Sequence, residues 1–161
     1  MAAVDYFLKL DGISGESTDE THKGEIDISS FRLGESNFVT VGSAAAGQVS
    51  GKVAMQDIHF SMVVNKASPS LMLACATGKH ISTGTLTARK AGDQGVEFLK
   101  VVLTDVLVSS FQTGGTNDAL PQDSFSLNFL KLELDYTPQD VTGALLPAVQ
   151  VGFDVAANAG A

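Results

Sequence analysis

A phosphate-binding loop needs glycines that free backbone amides to wrap phosphate oxygens, a lysine to reach them, and a Ser or Thr to hold magnesium. Gly47-Gln48-Val49-Ser50-Gly51-Lys52 comes near this pattern, but it is one residue short between its glycines and Val53 stands where the hydroxyl belongs. Gly12-Ile13-Ser14-Gly15 is too short for a nucleophile elbow, whose serine stands between glycines two residues to either side, and reads as a turn. His22, His59 and His80 are scattered over a loop, a strand's polar face and the residues after a helix. No paired spacing brings two of these imidazoles to one metal ion, and all three read as solvated. Cys75 sits in an apolar helical run and reads as a small hydrophobe rather than a nucleophile. Asp105, a carboxylate in the most apolar strand, has the type of a catalytic group. For a carboxylate so placed, a strand-edge hydrogen bond or an ion pair with Lys or Arg across an interface is the commoner role. No nucleophile, base and oxyanion donor come together on these residues. The expectation is a protein that is not an enzyme, with no catalytic residue, no metal site and no cofactor.

The elements that would position any site follow from composition and pattern. At 161 residues the chain is one domain by length, 1–161, able to bury a core without metal or disulfide staples. Its net charge of −8 and pI near 4.6 argue against a nucleic-acid partner, because sequence-independent affinity there comes from cations neutralising phosphates. An apolar share of 44%, with 17% charged residues and a mean hydropathy of +0.17, is slightly high for a soluble monomer and points to apolar surface buried between subunits. A single cysteine, Cys75, excludes an internal disulfide. The first residues, MAAVDYFLKLDG, lack a basic stretch followed by an apolar run, and nowhere does the chain carry a spanning apolar segment. The expectation is synthesis in the cytosol, no membrane insertion, and export, if any, without a cleavable signal.

Alternation of apolar and polar residues predicts strands at Val4–Leu10, around Ile26–Leu33, at Ile58–Val64, at Thr83–Arg89, from Val96 to Gly115, from Ser124 to Tyr136 and weakly at Val149–Val155. The longest, VEFLKVVLTDVLVSSFQTGG, is β-branched and aromatic, with Leu99, Val101, Leu103 and Leu107 on one face and Phe98, Val102, Val106 and Val108 on the other. A strand apolar on both sides needs two covers, the domain's own core and a helix or a second copy. Twice the inward face changes parity: at Ser29-Ser30, and between Phe129 and Leu130. Bulges or a passage from one sheet to another would restore one inward face. Ser68, Pro69 and Gly78 bracket the one convincing helix, about 68–78, with Ser68 as its cap; it is apolar almost all round and should be largely buried. Residues 34–52 read as an extended loop arm with an apolar island at Phe38, Val39 and Val41, and the last residues as unstructured. These elements make a mainly β barrel or sandwich with a helix on its side.

Four colinear segments carry a family resemblance: YFLKLDGISGESTDETHKGEIDISSF, NKASPSLMLACATGKH, ARKAGDQGVEFLKVVLTDVLVSSFQTGG and DSFSLNFLKLELDYTPQ. Together they resemble the haemolysin-coregulated protein (Hcp) family of type VI secretion systems over most of the chain. Three stretches depart from it: Phe31-Arg32-Leu33-Gly34, where many members carry tryptophan, the Ala-rich arm, and the segment after Pro138. The resemblance implies a β-barrel of two packed antiparallel sheets with one side α-helix. It further implies a homo-hexameric ring that stacks into the inner tube of a contractile injection machine, with spike tip, sheath and carried effector proteins as partners.

A closed ring requires head-to-tail contacts, in which one patch meets a different patch on the next copy. Phe38, Val39 and Val41 on the arm and Val102, Val106 and Val108 on the long strand are the candidate subunit-interface residues. Thr83, Thr85, Thr87 and Arg89 form a polar row that is a candidate channel-facing surface, with an outer solvent face as the other assignment. The alternative function is a monomeric β-sandwich module binding glycan or peptide, disfavoured by 7% aromatics and no tryptophan.

Overall fold

The computed structural model describes residues 3–41, 48–91 and 95–160, with 38–41 and 48–52 as backbone alone. Seven antiparallel partners form a circuit. It runs from β2 (Ile26–Ile28) through β1 (Val4–Leu10), β7 (His80–Lys90), β8 (Glu97–Thr116), β9 (Ala119–Tyr136) and β6 (Ile58–Val63) to β3 (Ser30–Arg32). β2 and β3 are one piece of chain broken only at Ser29, whose N–H donates to the Ser61 carbonyl at 2.8 Å. The path of pairings therefore returns to its own beginning, and the expected mainly β barrel is observed. β10 (Val149–Asp154) and β11 (Ala159–Gly160) extend the sheet beyond the far half of β9, so the end of the chain pairs where no structure was expected. Within the stretch read as an extended loop arm, β4 (Glu35–Val41) and β5 (Gln48–Met55) pair as a separate two-stranded sheet.

The parity changes read from sequence are real, and one extends across three strands. Ile81 and Gly84 on β7, Leu103 and Val106 on β8, and Phe129 and Leu132 on β9 all point inward, three residues apart where two are expected. By register, Ser82, Asp105 and Leu130 stand at one level between them. Asp105 adopts φ 53°, a left-handed conformation that acidic and amide residues tolerate best among non-glycines. A bend shared by three neighbours keeps their ladders in register while turning the sheet, as barrel closure requires. On the other edge β9 changes partner at the same place, pairing β6 up to Leu127 and β10 from Lys131.

The bend also corrects the reading of the long strand: Val106 and Val108 join Val101 and Leu103 in the core. Across β3, β6, β9 and β8, Phe31, Phe60, Phe125 and Phe111 lie in one cross-strand row facing inward. The Phe60 and Phe125 rings stack at 5.1 Å, and burying each of these two side chains contributes on the order of 2–3 kcal/mol.

Helix α1 (Ala67–Thr77) ends as expected, with Gly78 left-handed at φ 66°. Its start differs. Asn65 Oδ1 accepts the Ala67 N–H at 2.8 Å, while Ser68 turns inward and donates its hydroxyl to Asp123. Asp123 is fully buried on the inward parity of β9, in line with Phe125 and Leu127, and α1 delivers the hydroxyl that satisfies one of its oxygens. Contrary to the expectation of a largely buried helix, only Ala67, Ser68, Leu71 and Ala74 are covered, and Met72 and Leu73 face outward. Replacing Ser68 with Ala strands a buried carboxylate and should lower the unfolding free energy by about 1.5–3 kcal/mol in urea titrations, several times the effect of Ser70→Ala on the same helix's exposed side.

Candidate functional site

Two polar faces compete to be the working surface. The first is the Thr83, Thr85, Thr87, Arg89 row, and the chain covers it. Residues 13–25 fold back over β1 and β7, held by Gly15 N–H to Gly24 carbonyl at 2.8 Å and Ser17 N–H to Glu25 carbonyl at 3.0 Å. Glycine is required at 15 because a Cβ there would lie 2.4 Å from the Glu25 carbonyl oxygen. Under this cover Thr87 is buried, Thr83 and Thr85 are half-buried, and Arg89 is clamped by both carboxylate oxygens of Asp19, with Asp5 at 3.6 Å. The Arg89 guanidinium holds the Asp19 carboxyl well below the usual carboxylate range. The Thr87–Arg89 end of the row is thus an internal contact, while Thr83 and Thr85 keep part of their surface.

His22 closes the same cover and is not solvated. Its ring is buried, stacks on Phe7 at 4.4 Å, and contacts Glu25 Oε2 through Nδ1 at 2.8 Å and Glu97 Oε1 through Nε2 at 2.7 Å. Arg89 meets the same Phe7 ring at 4.9 Å. Burial pulls the His22 pKa down, but hydrogen bonds from the imidazolium to Glu25 and Glu97 outweigh it, leaving the pKa raised. The signal missed in sequence is long-range, since Glu97 lies 75 residues away.

The second face is open. On the outward side of the phenylalanine row, Ser30, Ser61, Ser124 and Gln112 are register neighbours in one line, and Arg32, His59, Ser126 and Ser110 in another. They bound a depression of about 540 Å³. Arg32 and His59, paired across β3 and β6, are both exposed. Buried Ser126 is held by the hydroxyls of Ser109, at 2.7 Å, and Ser110, and Asp57 is engaged by Ser109 at 2.6 Å and Asn128 at 2.9 Å. Period-two alternation predicts that these side chains share a face; only the pairing brings four strands' worth of them together.

The remaining candidates separate. Val106 and Val108 are core residues with no surface to offer a neighbour, so their assignment to an interface is withdrawn. Val102 is half-buried and lines a shallow depression with Val151 and Gln150. Phe38, Val39 and Val41 lie on β4, and their side chains are outside the described residues. Asp105 pairs with His80 Nδ1 at 2.8 Å within the chain. Cys75 is half-buried against the core, as a small hydrophobe would be. Among the described residues no three His, Cys, Asp or Glu side chains are arranged to hold a metal ion, and no helix is long and apolar enough to cross a membrane.

Comparison with known proteins supplies a family. Residues 7–136 match the family described as type VI secretion system effector, Hcp. Protein hcp1 of Pseudomonas aeruginosa is 40% identical over 145 residues, covering 88% of each chain. Among solved structures, one described as a type six secretion system protein superposes with a TM-score of 0.93 at 28% identity, over 99% of this chain and 100% of that one. Hcp1 from Salmonella typhimurium matches with a TM-score of 0.78 at 32% identity over 100% of both chains.

A raised imidazole pKa stabilises the fold fully below the unfolded value of 6.5, and the contribution is lost as pH rises through the higher folded value. The difference in unfolding free energy between the natural protein and His22→Asn should therefore be about 1.5–3 kcal/mol in mild acid and shrink as pH rises above neutrality, measured by urea titration across that range.

Proposed function

We propose that this chain, which belongs to the Hcp family of type VI secretion proteins, is the subunit of a ring of about six copies that stacks into an exported tube. The ring's channel shelters small effector proteins, a sheath drives the tube outward, and a spike sits on its tip. The subunit is made in the cytoplasm and released to the exterior or into a target cell.

The observation that carries this reading is apolar surface with nothing over it. Leu73 on α1 is 64% exposed, Leu120 at the β8–β9 tip 71% and Val151 on β10 58%, with Met72 and Val149 similarly bare. Leaving such side chains in water forgoes on the order of 1.5–3 kcal/mol each, which a neighbouring copy would recover. They fall on different elements, as head-to-tail closure demands: one patch must differ from the patch it meets. The β4–β5 pair adds a fourth element, bearing Phe38, Val39 and Val41, and half-buried Val102 beside Val151 remains a candidate contact.

Native mass spectrometry at micromolar concentration should give a ring of about six copies, and a monomer there would overturn the reading. A charge placed in the contact should weaken assembly about tenfold or more. Val39→Asp, Val41→Asp, Leu73→Asp and Val151→Asp are thus expected to disperse the ring while the far-ultraviolet circular dichroism of the β-fold is retained.

A further inference from the structure

We propose that the open face of β3, β6, β8 and β9 is a carboxylate-receiving site, in which Arg32, backed by His59 and a field of hydroxyls, takes an acidic segment of a protein. That the protein is the carried one rests on the cargo reading above.

The charge distribution points to the ligand. Carboxylates outnumber Lys and Arg by 18 to 10 in the chain, yet the lining of this depression contains Arg32 and His59 and no carboxylate. Among the described residues Arg32 makes no ion pair, whereas Arg89 is spent on Asp19 and Asp5 and Lys131 on Asp154. Asp57 accepts hydrogen bonds from Ser109 and Asn128 and is not part of the lining. An anionic partner meets here an exposed guanidinium, free of ion pairs among the described residues, in a lining without carboxylates.

Shape and donor type narrow the class further. A guanidinium presents two parallel N–H groups that match both oxygens of a carboxylate, and each serine hydroxyl adds one rotatable donor. Ser30, Ser61, Ser124 and Gln112 follow one another on adjacent strands, so with strand spacing near 4.8 Å the polar line runs about 14 Å. That length suits several residues of an extended acidic segment and exceeds the reach of a single phosphate. His59 sits beside Arg32 in register and supplies a further ring nitrogen to the same ligand.

The test is fluorescence anisotropy of a labelled hexaglutamate peptide on the intact protein, at about 50 mM salt where surface electrostatics are weakly screened. Binding is expected, to weaken about tenfold or more in Arg32→Glu, to survive in part in Arg32→Lys, and to fall as salt is raised. Hexalysine should not bind. Equal affinity in the natural protein and Arg32→Glu, or no binding at all, overturns the site. Displacement of the peptide by inorganic phosphate at equal molar concentration also overturns it, marking a small-anion site. Native mass spectra of each variant keep the two readings apart. Arg32-dependent binding by a protein that forms no ring sustains this site while the tube reading falls, and rings without such binding do the reverse.

Discussion

Strand β9 serves two partners on one edge, and the barrel depends on that division. Its first half pairs β6 and its second half pairs β10, with the change falling where β7, β8 and β9 bend together at Ser82, Asp105 and Leu130. If the bend were confined to one strand, its inward residues would slip to the outside while its neighbours' stayed within, since one residue of slippage exchanges the two faces. A shared bend keeps Phe129 and Leu132 both in the core although their parities differ. It also frees β6 to reach β3, and the continuity of β2 and β3 through Ser29 then closes the circuit.

Closure decides which surfaces remain for function. The side carrying β1 and β7 is occupied by the chain's own residues 13–25, fastened by charged contacts of Arg89 with Asp19 and of His22 with Glu25 and Glu97. Helix α1 packs on the core through Ala67, Leu71 and Ala74, and its Ser68 reaches the buried Asp123. The sheet face outside the phenylalanine row keeps Arg32, His59 and most of its hydroxyls in water. Inward aromatics and outward polar groups on the same four strands follow directly from the pleat, which sends successive side chains to opposite sides. Exposed leucines and valines on α1, the β8–β9 tip and β10 complete a molecule with polar recognition on one aspect and unfilled apolar contacts on others.

Much of this is written locally in the chain. Alternation marked β1 and β6 to β9, Gly78 marked the helix end, and the parity reversals at Ser29 and after Phe129 marked the corners, because each depends on neighbouring residues alone. The colinear segments likewise placed the chain in its family. Errors arose where a residue's partner lies far along the chain. Ser68 has the type of a helix cap, but Asp123, 55 residues on, claims its hydroxyl. His22 has the type of a solvated loop residue, but Glu97 and Phe7 enclose it. Asp123 itself was legible in principle, as a carboxylate on the inward parity of Phe125 and Leu127.

The amino-acid sequence by itself determined most of the barrel strands, the helix, the corners and the family, since these rest on periods of two and three or four residues and on contiguous segments. Only the tertiary structure decided which polar side chains are covered: Thr87 and Arg89 lie beneath other parts of the chain, Arg32 and His59 do not. The threonine row and the serine rows alternate alike along their strands, and nothing within either distinguishes them. The difference is a fold-back of residues 13–25 onto one face and not the other, a choice made by contacts between groups dozens of residues apart, whose energy no local pattern records.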